Sequence, residues 1–146
     1  MSNTTNTNQA PVQTSVEPTA VGRISIENYA TDVQTQGHTI RVDQPTDIED
    51  GLNTGPTPFG YLYAALAGCM LMTVRGYAAR KQWPLKSSEV RIFPTRDKSK
   101  VLESIRIELD LEGDDLTEEQ ITRLREIALK CPVHRSLEKA IEVELA

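Results

Sequence analysis

Between Gly51 and Val74 the chain carries no charged side chain at all. Tyr61 to Tyr77 is too long for a strand, and Ala64 to Met72 is rich in Ala, Leu and Met, all strong helix formers. A helix is predicted here that is apolar around nearly its whole circumference, and such a helix is buried on all sides. One domain of this size rarely encloses a helix by itself, so a second subunit is expected to cover part of it. The cations Arg75, Arg80 and Lys81 suit its C-terminal end, and Pro84 stops it. The apolar run Tyr61 to Val74 falls short of the roughly 18 residues of a membrane span, so no membrane partner is expected.

The flanks alternate in strand fashion. Arg23 to Tyr29 (RISIENY) and His38 to Asp43 (HTIRVD) are predicted strands that pair across a turn at Thr35-Gln36-Gly37. Pro45 ends the second, and the Gly- and Pro-rich stretch Asp50 to Pro58 is a loop. Beyond the long helix, Glu89 to Phe93 and Ser104 to Leu111 form a hairpin. Ile105, Ile107, Leu109 and Leu111 alternate with Arg106, Glu108 and Asp110, which leaves one sheet face wet. Thr117 and Gln120 form a capping box ahead of a helix whose stripe is Ile121, Leu124, Ile127 and Ala128. Pro132 breaks that helix at Cys131 and opens a short one to about Lys139. Ile141, Val143 and Leu145 alternate with Glu142 and Glu144, a last predicted strand. The class is α+β, with antiparallel sheets packed around a long buried helix.

Residues 1–20 are rich in Thr, Asn, Gln and Pro and read as a disordered tail without the features of an export signal, leaving one domain over residues 21–146. A cytoplasmic location is expected. The net charge is −5 and only 5% of residues are aromatic, so neither a basic face nor a stacking platform for nucleic acid is present.

Two cysteines are too few for a disulfide scaffold. Cys69 lies in the apolar helix beside Gly68 and Ala67, small residues that let another group approach its sulfur. Cys131 falls at the N-cap of the short helix, followed by His134 and Arg135. Backbone N–H groups, the helix dipole and those cations mark it as the more acidic thiol. Two buried, inert core cysteines are the alternative. A metal site from Cys69, Cys131, His134 and His38 matches no zinc spacing, so no metal and no cofactor are expected.

The stretches GPTPFGYLYAALAGCMLMTVRGYAARK (Gly55 to Lys81) and LTEEQITRLREIALKCPVHRSL (Leu116 to Leu137) resemble the first and second cysteine motifs of the OsmC/Ohr proteins. The strand HTIRVDQP resembles the segment ahead of the first, and the likeness runs from about Arg23 to Leu145. The resemblance implies an intertwined homodimer with a long central helix. It also implies a thiol-dependent peroxidase acting on organic hydroperoxides or hydrogen peroxide, with a thiol or dithiol as reductant. Cys69 would be the peroxidatic thiol and Cys131 the resolving one, which reverses the acidity ranking read from the cap. Arg41 is the candidate for the family's activating Arg. Tyr61, Leu62, Leu66 and Met72 are expected to line the substrate site. The family's Glu ahead of the central helix is missing, since Phe59-Gly60-Tyr61 stands there; a hydroxyl of Tyr61 or Tyr63 is the candidate replacement. A protein of this fold that binds a small apolar ligand, or senses oxidants without turnover, is the second reading.

Overall fold

The computed structural model describes residues 17–145, and most of the expected N-terminal tail lies outside the described residues. The chain divides into two compact units at Gly55/Pro56. The first is an antiparallel sheet of β1 (Ala20–Ile24), β2 (Thr31–Thr35) and β3 (His38–Val42), in that order. Thr35 pairs with His38 across a two-residue turn in which Gln36 and Gly37 both have positive φ, 48° and 80°. Such a turn matches the twist of the strands it joins.

Here the structure corrects the expected pairing. β2 lies between the two predicted strands, and Ile26 lies outside any strand, fully exposed. The segment TDVQT has a single large apolar residue, so it showed no alternation of hydrophobics. It is nevertheless amphipathic: Thr31, Val33 and Thr35 are half-buried and Asp32 and Gln34 exposed. β-Branched side chains favour that pleated face.

After β3 the loop is tied by Asp43, which is 1% exposed. Its carboxylate accepts from Gln44 N (2.7 Å), Thr54 N (3.0 Å) and Thr54 Oγ1 (2.6 Å). These donors hold its pKa down to about 2, from 3.8, against the opposing effect of burial. A Cβ on Gly55 would sit 2.1 Å from the Arg41 carbonyl oxygen, so only glycine lets the loop return to β3.

The second unit begins with α1 (Pro58–Arg80), capped by Thr57, whose side chain accepts from Gly60 N at 3.1 Å. Pro58 opens it, where a missing N–H costs nothing. Leu66, Met70, Val74 and Ala78, spaced by four, form its buried face. The hairpin of β4 (Ser87–Arg96) and β5 (Leu102–Glu112) supplies Val90, Ile92, Ile105, Ile107, Leu109 and Leu111 to the same core. Its wet face carries Arg91, bonded to Glu89, Glu108 and Asp110. α2 (Glu118–Ala128) starts at the expected capping box, with both reciprocal bonds between Thr117 and Gln120 formed. Its Leu124 and Ala128 close the core together with Cys131, and α3 (Pro132–Leu137) follows.

As expected of so apolar a helix, α1 is not enclosed by its own chain: Ala64, Ala65 and Met72 are exposed, Met72 at 76%. Two expectations change. At 23 residues it is long and apolar enough, by length and composition, to cross a bilayer. The run that fell short had been cut at Arg75, and one cation does not end a span. A core helix passes the same test, and α1 packs Leu66 to Ala78 into the core. Finally, residues 140–145 form no strand; Ile141, Val143 and Leu145 are 68%, 89% and 102% exposed. Alternation states which faces a strand would have, and a strand still needs a neighbouring edge to bond.

Candidate functional site

Cys69 lies midway along α1, on the flank between the buried face and the exposed one. One turn on, the Thr73 hydroxyl donates to the Cys69 carbonyl oxygen at 2.7 Å. The sulfur's surroundings are a shallow, largely apolar groove of about 520 Å³ along the helix, lined by Ala64, Ala65, Gly68, Cys69, Met72 and Thr73. Small side chains leave the groove open, so a reagent can reach the half-buried Cys69.

Cys131 is fully buried and sits at the N-cap of α3 in extended conformation, φ −61° and ψ 138°. Its Sγ accepts from His134 N at 3.2 Å. Both cysteines are free thiols, and Cys69 packs against the buried core cluster that contains Cys131, close enough to act on its thiol. The break forced by Pro132 turns the chain at the end of α2, and the packing of α2 and α3 against α1 brings the sulfurs together.

The cap does not make Cys131 acidic. Burial pushes its thiol up and the neighbouring Cys69 thiol pushes the same way, while the N–H groups of His134 and Val133 oppose them. The ranking read from the cap is therefore corrected. A fully enclosed sulfur loses more by desolvation than two amide dipoles return, and burial of this kind is set by tertiary packing.

The other expected site residues divide. Met72 lines the Cys69 groove. Leu66 belongs to the opposite, buried face, 1% exposed, and borders a separate cavity of about 240 Å³ beneath α3. Tyr61 and Leu62 are half-buried and line neither. Tyr63 stacks on Phe59 at 5.9 Å, and its buried hydroxyl has no hydrogen-bond partner. Arg41 lies on β3 of the first unit, where its Nε bonds Asp32 Oδ1 at 2.7 Å. The first turn of α1 holds no acidic residue. His38 is exposed on β3, and among the described residues no three His, Cys, Asp or Glu side chains gather into a metal site.

One residue stands out that sequence reasoning offered as a cation beside Cys131 and as a metal-ligand candidate. The His134 side chain is 18% exposed; its Nδ1 is buried without a hydrogen-bond partner, 3.6 Å from Glu138 Oε2. The i, i+4 spacing of His134 and Glu138 was visible in the sequence. The cavity that both residues line was not.

The mixed α and β fold with antiparallel sheets agrees with comparison to known proteins. Residues 50–146 match the family model for OsmC-like proteins, and the chain belongs to that family. An OsmC-like protein from Mycoplasma pneumoniae has a TM-score of 0.71 at 18% identity, over 85% of this chain and 89% of that one. The organic hydroperoxide resistance protein OsmC of Legionella pneumophila has 0.58 at 16%, over 84% and 90%. OhrB of Bacillus subtilis, an organic hydroperoxide resistance protein, has 0.56 at 18%, over 80% and 87%. At these identities the likeness is one of fold. No curated protein sequence matches the chain.

Proposed function

We propose that this OsmC-like protein is a thiol-dependent peroxidase that reduces organic hydroperoxides or hydrogen peroxide through Cys69 and Cys131. The observation that carries this reading is the packing of an accessible thiol against the core cluster that holds a buried one. The Cys69 thiolate attacks the distal peroxide oxygen. A sulfur–oxygen bond forms, the O–O bond breaks, and the alcohol or water departs with a proton, leaving a sulfenic acid. The Cys131 sulfur then attacks Cys69. A disulfide forms, the S–O bond breaks, and water leaves. An external thiol or dithiol reduces the bridge by two exchanges. Because Cys131 is enclosed, the reductant enters at Cys69 and Cys131 is the sulfur released.

The apolar groove suits an organic peroxide tail, with Met72 in its wall and Tyr61 and Leu62 about two turns before Cys69. Arg41 stays the candidate, by family resemblance alone, for the activating guanidinium. A homodimer is part of the proposal. Bare Ala64, Ala65 and Met72, and the unpaired alternation from Ile141 to Leu145, are surfaces a second copy would cover. Free thiols fit a cytoplasmic location.

The test is consumption of cumene hydroperoxide with dithiothreitol. Turnover that vanishes in Cys69→Ser supports the proposal; turnover unchanged by that substitution overturns it. The absence of a carboxylate in the first turn of α1 favours the second reading, an apolar-ligand binder or oxidant sensor of the same fold. That reading predicts a co-purifying organic molecule and no steady turnover.

A further inference from the structure

We infer that the groove of Cys69 ends in an anion anchor made by Arg80, Arg123 and Lys130, and that the external reductant of the bridge is an aliphatic thiol carrying a carboxylate. The inference rests on the two-thiol cycle above. Beyond Met72 and Thr73 the groove runs on into a second hollow of about 490 Å³, which shares those two residues and adds Gly76, Tyr77, Arg80, Arg123, Ile127 and Lys130. The walls are small or apolar as far as Gly76 and carry three cations beyond it, and no acidic residue lines either part. Cys69, Thr73, Gly76 and Arg80 follow one another at spacings of four, three and four, so they share one face of α1.

The cations gather around Tyr77, about 12 Å of helix rise beyond Cys69. The Arg80 guanidinium lies 5.4 Å from the centre of the Tyr77 ring and that of Arg123 5.8 Å, with Arg123 Nε donating to the Tyr77 hydroxyl at 3.4 Å. That bond, and then the charges of Arg123, Lys81 and Arg80, hold the Tyr77 hydroxyl below its ordinary pKa against the effect of burial. The same field favours any anion placed beside it. Arg123 is already bonded to Glu126, at 2.7 Å, whereas Arg80 and Lys130 have no carboxylate partner among the described residues.

A ligand that fills this groove has its reacting atom at Cys69, an aliphatic chain over Met72 and Gly76, and an anionic end about 12 Å away. Hydrogen peroxide has no tail for such an anchor to hold, whereas every turnover consumes the reductant. The reductant's thiolate attacks Cys69, a mixed disulfide forms, and the bond to Cys131 breaks with the electron pair going to Cys131. A second thiolate then frees Cys69 and carries away the ligand disulfide, and the two protons given up by the reductant end on the two cysteines.

The test compares ω-mercaptooctanoate with its methyl ester, which differ only in the charged end. The bridge is formed with diamide, and its reduction by each thiol is timed at neutral pH and low salt, per thiolate. The acid reduces the native bridge at least about fivefold faster than the ester. The two rates converge at high salt and in Arg80→Gln/Lys130→Gln, which leaves Arg123 with Tyr77 and Glu126. Uncharged dithiothreitol reduces native and variant bridges equally. Lys130→Gln alone, at an exposed side chain, shows part of the loss and serves as the second reading should the double variant unfold. Equal rates for acid and ester in the native protein, or a preference that survives the double variant, overturn the anchor. A preference seen only between ω-hydroperoxyoctanoate and its methyl ester overturns the assignment to the reductant. Both results leave the peroxidase reading standing. Peroxide left unconsumed while the acid keeps its advantage overturns the peroxidase reading and leaves the anchor, and a protein that forms no bridge with diamide overturns both.

Discussion

Cys69, in the middle of α1, packs against the buried core cluster that contains Cys131, the N-cap of α3. The two sulfurs differ in exposure. One faces an open groove. The other is enclosed, with its thiol pushed up by burial. A division of labour follows, in which Cys69 meets reagents and Cys131 meets only Cys69.

That difference predicts selective alkylation. In the folded, reduced protein, iodoacetamide modifies Cys69 at least about tenfold faster than Cys131, because Cys131 is enclosed and burial pushes its thiol up. In denaturant the two rates converge. Peptide mass spectrometry of timed samples reads both.

The bare face of α1 predicts self-association. Sedimentation equilibrium should show a dimer, and Ala65→Glu should shift it to monomer, since a carboxylate at an exposed position costs the single chain little but is desolvated in an interface. A monomeric native protein contradicts the dimer.

Asp43 predicts a pH dependence with a definite sign. Its folded pKa is about 2 against 3.8, so its contribution to stability is full above about pH 4 and is lost as pH falls toward 2. Asp43→Asn should lower the melting temperature at pH 7 and flatten the loss of stability between pH 4 and 2. Thermal melts of both proteins across that range check it.

Leu124 is fully buried between α2 and the rest of the core. Leu124→Ala should cost about 2 to 5 kcal/mol in urea unfolding, from lost transfer energy and the cavity left behind. A cost below about 1 kcal/mol would mean that the packing of α2 on α1 differs from that described.

Much of this architecture was legible because its signals are local. Pro84, the Thr117–Gln120 box and the Cys131–Pro132 break each act within one helical turn, and the Ile105 to Leu111 alternation needs only one strand. β2 was missed because its inward face is built from Thr31, Val33 and Thr35, so hydrophobicity did not alternate. The last strand was expected where none forms, since Ile141, Val143 and Leu145 declare a pattern without supplying the edge it pairs with. The acidity of Cys131 was misjudged for a similar reason: its cap is local, its burial is not. The orphaned Nδ1 of His134 likewise depends on what β5 and α3 place around it.

The most direct measurement is to treat the reduced protein with one equivalent of cumene hydroperoxide and map the products by non-reducing peptide mass spectrometry. The two-thiol cycle predicts an intrachain Cys69–Cys131 bridge in the native protein. In Cys131→Ser, where serine still caps α3, it predicts a dimedone-reactive sulfenic acid at Cys69. Peroxide left unconsumed, or oxidation that spares Cys69, contradicts it.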